Sequence, residues 1–371
     1  MAQPSIAYLV HSLDPGGTER LALDMALWFS HKYRMQIFCL DTPGQWAGDA
    51  RAQGISVTCL NRRPGVDLSV PVRLAAWMKI TRIDLIHAHQ YTPWFYGGLA
   101  RILRPKTKII FQEHGRHYPE IRKTKRILFN RLVLSPLTHR ITAVSRDIRQ
   151  RLVVYEGLKN QKIEVIYNGT CPLSPVTDDD RTALRAALGF ESDDVVVAAV
   201  GRLDPVKNLA LFFEGIARVA EKVPRIKGLI VGDGPEADRL HARVQALGLS
   251  DRIVFTGFRE DAVRLVQAAD VFALVSFSEG TSMALLEAMA AGVPAVVTRV
   301  GGNSDIVADG RTGWVIESGD LEQLTGVLYR AVGDAGLRKT MGRAGQQQFF
   351  RQFEFNAMAR AYDQLYQSVL T

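Results

Sequence analysis

Short apolar runs alternate with helical patterns along nearly the whole chain, and this alternation is the strongest constraint on its fold. Ser5-Ile-Ala-Tyr-Leu-Val-His11 reads as a buried strand, and further runs stand at 36–40, 55–60, 84–88, 108–112, 140–144 and 163–167. Continuous apolar runs of this length suit strands covered on both faces. Most are separated by amphipathic helical stretches, which argues for a parallel, doubly wound α/β sheet. Residues 168–180 interrupt the pattern with Pro, Asp and small residues, marking a domain boundary. The alternation then restarts, with runs at 195–200, 226–231, 253–256, 270–275 and 295–298. Residues 321–370 read as helical, with Phe349, Phe350, Phe353, Phe355, Tyr362 and Tyr366 as apolar anchors.

Charge is divided as unevenly as the pattern is regular. The net charge is +8, but residues 1–176 carry 25 Lys and Arg against 12 Asp and Glu, whereas residues 177–371 carry 21 against 26. A basic first half suits a nucleic acid, an anionic membrane surface or an anionic substrate. The apolar stretch from Ile6 to Val10 is too short for the core of a signal peptide, and no eighteen-residue apolar run occurs. A soluble intracellular protein is therefore expected. Cys39, Cys59 and Cys171 have no metal-ligand spacing and are odd in number, so buried free thiols are expected.

In a doubly wound sheet, ligands meet the loops at the C-terminal strand ends, so the loops carry the functional reading. Glu279-Gly-Thr-Ser-Met-Ala-Leu-Leu-Glu287 sets two carboxylates eight positions apart around a helix start at Thr281 or Ser282. Glu279 then lies just outside the helix and Glu287 about five residues inside it, roughly 7 to 8 Å along the axis. The first-turn N–H groups between them form an anion site. Each part suits one part of a nucleotide diphosphate sugar: Glu279 for sugar hydroxyls, the helix start for the diphosphate, Glu287 for the ribose. Gly201-Arg202-Leu-Asp-Pro-Val-Lys207 follows the run at 195–200, where Arg202 and Lys207 can converge on one anion. Gly232-Asp-Gly-Pro235, Gly257-Phe258-Arg259 and Val300-Gly301-Gly302 give further strands glycine-bearing ends where a ligand can approach.

The first half has its own loops of interest. Asp14-Pro-Gly16-Gly17-Thr-Glu19 turns into an amphipathic helix to about His31, without the full dinucleotide glycine fingerprint. Histidines cluster at 87, 89, 114, 117 and 139, but no pair has helical zinc-ligand spacing with a third ligand nearby, and neither metal nor cofactor is expected. His114, with Gly115 behind it, is the candidate for a ligand-facing side chain. From Tyr118 to Leu134, Arg122, Lys123, Lys125, Arg126 and Arg131 mix with Ile121, Ile127, Leu128, Leu132 and Val133. As a helix this suits either anionic lipid headgroups or a solvated basic face on a packed helix. Nucleic acid is disfavoured, because no binding motif occurs and few aromatics alternate with the charges. Asp178, Asp179 and Asp180 contain an Asp-x-Asp spacing but precede a helix at Arg181, so an N-cap role is expected.

Together, Arg202 and Lys207, the Gly232 loop, the Glu279 to Glu287 pair and Gly301-Gly302 resemble the retaining glycosyltransferases of family four, which have the GT-B fold. The resemblance implies two facing Rossmann-like domains: 1–175 receiving the acceptor, 176–350 binding the nucleotide sugar, and a helix over 351–371 crossing back to the first. It implies that Arg202 and Lys207 bind the diphosphate, Glu287 the ribose and Glu279 the transferred sugar. Gly17, with Gly16, approaches the phosphates, and His114 stands beside the reacting sugar. Gly232, Phe258, Gly280, Thr281, Ser282 and Met283 complete the expected donor contacts. Thr281-Ser282 stands where many relatives have Phe-Gly, so the motif does not name the sugar. Glu113-His114-Gly115-Arg116, Tyr118-Pro119 and the basic segment also look like bacterial enzymes of surface polysaccharide synthesis. The expected activity is metal-independent retaining transfer from a UDP-linked sugar to a lipid-linked or saccharide acceptor at the inner membrane face. A sugar-nucleotide epimerase on the same fold and a nucleotide-sugar-binding protein without turnover are the competing readings.

Overall fold

The apolar runs form strands because both faces of each are covered by helices, so no alternation with polar residues is required. The computed structural model describes residues 3–115, 120–174 and 176–371. Two compact units are present: residues 1–167 with 358–371, and residues 168–357.

The first unit holds strands β1 (Ser5–Val10), β2 (Arg34–Cys39), β3 (Ser56–Cys59), β4 (Leu85–His89), β5 (Lys108–Glu113), β6 (Arg140–Ala143) and β7 (Ile163–Val165), in the order β3-β2-β1-β4-β5-β6-β7. The second holds β8 (Val195–Val200), β9 (Ile226–Val231), β10 (Ile253–Phe255), β11 (Val271–Leu274), β12 (Ala295–Thr298) and β13 (Gly313–Ile316), in the order β10-β9-β8-β11-β12-β13. Every pairing is parallel. In both sheets the strand order reverses beside the first strand, between β1 and β4 and between β8 and β11. The two strand ends diverge there and leave a crevice. β13 is not among the sequence-derived runs, because its four residues begin with a glycine and end the sheet.

The final helix, Phe355–Leu370, returns to the first unit. Tyr362 and Tyr366 are fully buried on it, and the Tyr366 hydroxyl lies 2.9 Å from that of Tyr8 and 2.7 Å from His87 Nδ1. Lys32 Nζ reaches Asp363 at 2.6 Å, fixing the helix from its outer side.

Three local expectations need correction. The basic helix expected from Tyr118 begins only at Thr124 and passes at Asn130 into a π-helical turn, Asn130–Leu134; Arg116, His117, Tyr118 and Pro119 lie outside the described residues. Within it, Arg126 forks onto the buried Glu156 (Nε to Oε2 2.7 Å) and stacks 3.4 Å from the centre of the Tyr91 ring. Arg131 Nε donates to the Gly157 carbonyl at 2.9 Å. These two charges belong to the fold. Only Cys39 is buried; Cys59 is half-buried and Cys171 exposed. The Asp178–Ala187 helix is capped by Thr177, whose hydroxyl accepts from the Asp180 N–H, while the three aspartates fill the first turn, where their charge favours the helix N-terminus.

Candidate active site

The crevice beside β8 and β11 is built by two loops that lock onto each other. After β8, the Asp204 carboxylate accepts from the Val206 N–H at 3.1 Å and starts one 3-10 turn, Pro205–Lys207, which folds Lys207 back towards the sheet. The Phe277 N–H donates to the Val206 carbonyl at 2.8 Å, joining the loop after β11 to the loop after β8. Lys207 Nζ then lies 2.7 Å from Glu279 Oε1, and the Ser276 hydroxyl donates to the same oxygen at 2.6 Å. The Glu279 side chain is only 8% exposed, so its charge depends on those two partners. Gly201, Arg202, Leu203, Lys207 and Ser276 line a narrow crevice. Arg202 is exposed at its mouth and makes no ion pair among the described residues.

Glu279 is placed by backbone as much as by charge. A Cβ on Gly301, whose φ is +55°, would stand 1.8 Å from the Glu279 carbonyl oxygen. The Gly302 N–H donates to the Gly280 carbonyl at 2.8 Å. Gly232, at φ +136°, meets the Gly201 carbonyl at 2.0 Å from an added Cβ. These glycines let neighbouring backbones touch, which is a different use from the ligand approach read from the sequence.

The helix Met283–Ala290 starts as expected. Ser282 is its cap, with its hydroxyl accepting from the Leu285 N–H at 3.4 Å, and Thr281 and Ser282 are buried. Met283 is the first helical residue, and Glu287 lies half-buried on the second turn. Phe258 follows β10 and is 52% exposed.

In the first unit, Gly16 and Gly17 open the helix Gly17–Phe29 after β1, with Gly16 in extended backbone and no side-chain cap. His114, just beyond β5, is 6% exposed, and its Nε2 lies 2.9 Å from Nδ1 of His89, the last residue of β4. His87 and His89 share one face of β4, and their rings are 4.4 Å apart. Burial pushes His114 and His87 down to about 3 and His89 well below the ordinary imidazole range. All three are therefore neutral. His87 and His89 were weighed in the sequence only as metal ligands; their two-residue spacing on a strand already placed them on one side. His139 accepts from the Ile109 N–H at 3.2 Å and has a structural role. Among the described residues no three His, Cys, Asp or Glu side chains gather as a metal site.

Residues 15–172 match the model described as Glycosyltransferase Family 4, and residues 180–348 the one described as Glycosyl transferases group 1. The chain is 27% identical over 312 residues to N-acetyl-alpha-D-glucosaminyl L-malate synthase of Bacillus anthracis, covering 83% of this chain and 80% of that one. It is 27% identical over 291 residues to UDP-Gal:alpha-D-GlcNAc-diphosphoundecaprenol alpha-1,3-galactosyltransferase of Escherichia coli, covering 76% and 75%. In fold it matches Anabaena Alr3699/HepE, solved in complex with UDP-glucose, with a TM-score of 0.87 at 22% identity over 98% of this chain and 99% of that one. With two parallel Rossmann-like sheets of GT-B type and both domain models in order, the chain belongs to the family 4 glycosyltransferases.

Proposed function

We propose that the chain is a retaining, metal-independent transferase that moves a sugar from a UDP-linked donor to a lipid-linked or saccharide acceptor in surface polysaccharide or glycolipid synthesis. The observation that carries this reading is the Lys207–Glu279 pair at the strand-order reversal of the second sheet, with the exposed Arg202 beside it. Arg202, Lys207 and the N-terminus of Met283–Ala290 supply positive potential for a departing diphosphate, the countercharge that other transferases draw from a metal. Glu279 accepts from sugar hydroxyls through the oxygen not committed to Lys207 and Ser276, and Glu287 takes the ribose hydroxyls. Gly232, Phe258, Gly280, Thr281, Ser282 and Met283 surround the donor, and Gly16 and Gly17 approach its phosphates. His114 takes the place beside the reacting sugar that the family resemblance implies.

The bond from the anomeric carbon to the phosphate oxygen breaks with its electron pair on the phosphate. The acceptor oxygen bonds to that carbon on the same face, and its proton passes to the leaving phosphate. No glycosyl-enzyme bond forms, so the two-carboxylate geometry of retaining hydrolases is not required. The relatives' printed names, one for a UDP-galactose donor and a diphosphoundecaprenol acceptor, support donor and acceptor classes of this kind.

Thermal shift against a panel of nucleotide sugars selects the donor. Transfer is then expected to persist in EDTA and to give a product with the donor's anomeric configuration by NMR. Inversion contradicts the mechanism, and release of an epimer without acceptor favours the epimerase reading.

We further propose that the first unit meets an anionic membrane at the inner face of the cell membrane. Among the described residues no helix is long and apolar enough to cross a membrane. Arg122, Lys123 and Lys125 are exposed beside Ile121, Leu128 and Leu132, which are 71%, 57% and 68% exposed. Replacing the three basic residues together is expected to reduce co-sedimentation with anionic vesicles by roughly ten-fold or more at low salt, at about 1 kcal/mol per charge, and much less at high salt. Unchanged sedimentation removes the membrane role. Arg126 is left out of this set because its loss would strand the buried Glu156.

A further inference from the structure

The imidazole pair at the ends of β4 and β5 has a proton to place. His89 Nδ1 and His114 Nε2 are 2.9 Å apart, and the ring planes are 16° from parallel with centres 5.1 Å apart, so the two rings meet edge to edge. Burial keeps both neutral, so each ring has one N–H and one lone pair. Two arrangements satisfy the contact. If His89 Nδ1 donates, His89 Nε2 is a bare lone pair and His114 carries its hydrogen on Nδ1. If His114 Nε2 donates, the buried N–H is left on His89 Nε2 and the lone pair on His114 Nδ1.

Among the described residues, neither His89 Nε2 nor His114 Nδ1 has a hydrogen-bond partner. A buried N–H without an acceptor is tolerated less often than an unfilled acceptor. His89 is 1% exposed and enclosed by the His87 ring at 4.4 Å and the Tyr8 ring at 5.0 Å. The Tyr8 hydroxyl is already engaged by Tyr366. His114 is the less enclosed of the two. The first arrangement therefore leaves only a lone pair on the more deeply enclosed ring and sets the N–H on the less enclosed one, at a buried nitrogen whose unfilled donor a ligand oxygen would satisfy.

We infer that His89 is a positioning residue that holds His114 in the Nδ1–H tautomer, so that His114 offers a hydrogen-bond donor to an oxygen of the bound sugar nucleotide. The inference rests on the proposed role of His114 at the donor sugar. It also gives a purpose to the His-x-His end of β4 that a metal site does not.

The test is a long-range ¹H–¹⁵N correlation spectrum of the full chain with ¹⁵N-labelled histidine at pH 7.5, with His114 assigned from His114→Gln. The expected spectrum shows His114 protonated on Nδ1. His89→Phe keeps the ring and removes the donor, and is expected to return His114 to the Nε2–H form preferred by an unrestrained imidazole. His89→Asn, whose amide nitrogen occupies the place of Nδ1, is expected to hold the Nδ1–H form. An Nε2–H signal in the unmodified chain overturns the inference, as does a His114 spectrum indifferent to His89→Phe. These readouts need no ligand, so they stand apart from any failure of the proposed transfer.

UDP release from UDP-glucose, UDP-galactose and UDP-N-acetylglucosamine supplies the functional arm. With whichever is turned over, His89→Phe is expected to lower kcat at least ten-fold with KM within about two-fold, and His89→Asn to recover it. An unchanged kcat in His89→Phe also overturns the role.

Discussion

Acidification below about pH 5.5 is expected to unfold the first unit ahead of the second. His87, His89 and His114 are buried and neutral, with folded values of about 3 for His87 and His114 and well below the ordinary range for His89. In the unfolded chain each titrates near 6.5. Between those values the unfolded state binds protons that the folded state refuses. Stability is thus fully present above the unfolded value and is lost as pH falls towards the folded ones. Three such groups give a slope of about 4 kcal/mol per pH unit once the unfolded histidines are fully charged. A domain with ordinary total stability of about 5–15 kcal/mol tolerates only a few units of that. Asp41 and Asp363, whose carboxyls are held below the usual range, act only at lower pH.

The second unit contains a single histidine, the exposed His241. Trp28, Trp46, Trp77 and Trp94 all lie in the first unit, so tryptophan fluorescence reports mainly on it. Hydrogen exchange across a pH series is expected to show β4 and β5 losing protection while β8 and β11 remain closed. A melting temperature flat from pH 7 to 4.5 would contradict neutral burial of the three rings.

Glu279→Gln is expected to lower transfer by about 10²–10³ fold, the scale of removing one aligned electrostatic group from a reacting centre. UDP affinity should be unchanged or tighter, because Lys207 is released from its 2.7 Å ion pair and becomes available to the anion. Lys207→Met should behave differently. It leaves the Glu279 charge, 8% exposed, without its cation, which costs about 3–5 kcal/mol in comparable buried pairs. Melting temperature and UDP affinity should both fall, and the double variant Glu279→Gln/Lys207→Met should regain part of the lost melting temperature. Full activity in Glu279→Gln would remove Glu279 from the reaction. Loss of UDP binding in Glu279→Gln would make the pair a scaffold only.

The parts of this site that were legible in the sequence are those fixed by local chemistry. Parallel strands buried on both faces appear as apolar runs, and Ser282 announces a helix start whatever surrounds it. Lys207, with Arg202, was readable as a cation for an anionic ligand, and Glu279 as a carboxylate for sugar hydroxyls. Their direct contact was not, because it depends on β8 and β11 being neighbours across 72 residues of chain. The same limit explains the segment after β5. Its periodicity predicts one long basic helix, but Arg126 is committed to Glu156, thirty positions on, and a π-helical turn has no signature in a 3.6-residue pattern. His87 and His89 were left without a role once a metal site was disfavoured, because the hydroxyl bonded to His87 comes from Tyr366, at the far end of the chain.

The central claim is that the crevice after β8 holds the diphosphate, and Arg202 tests it with the least disturbance, since it is exposed and makes no ion pair among the described residues. Calorimetric titration of UDP into the unmodified chain and into Arg202→Ala is the direct measurement. Loss of a charge-assisted contact of about 1.5–3 kcal/mol predicts binding weaker by roughly 10- to 150-fold, with the melting temperature of the free protein unchanged. Equal affinity in the two proteins would contradict the assignment.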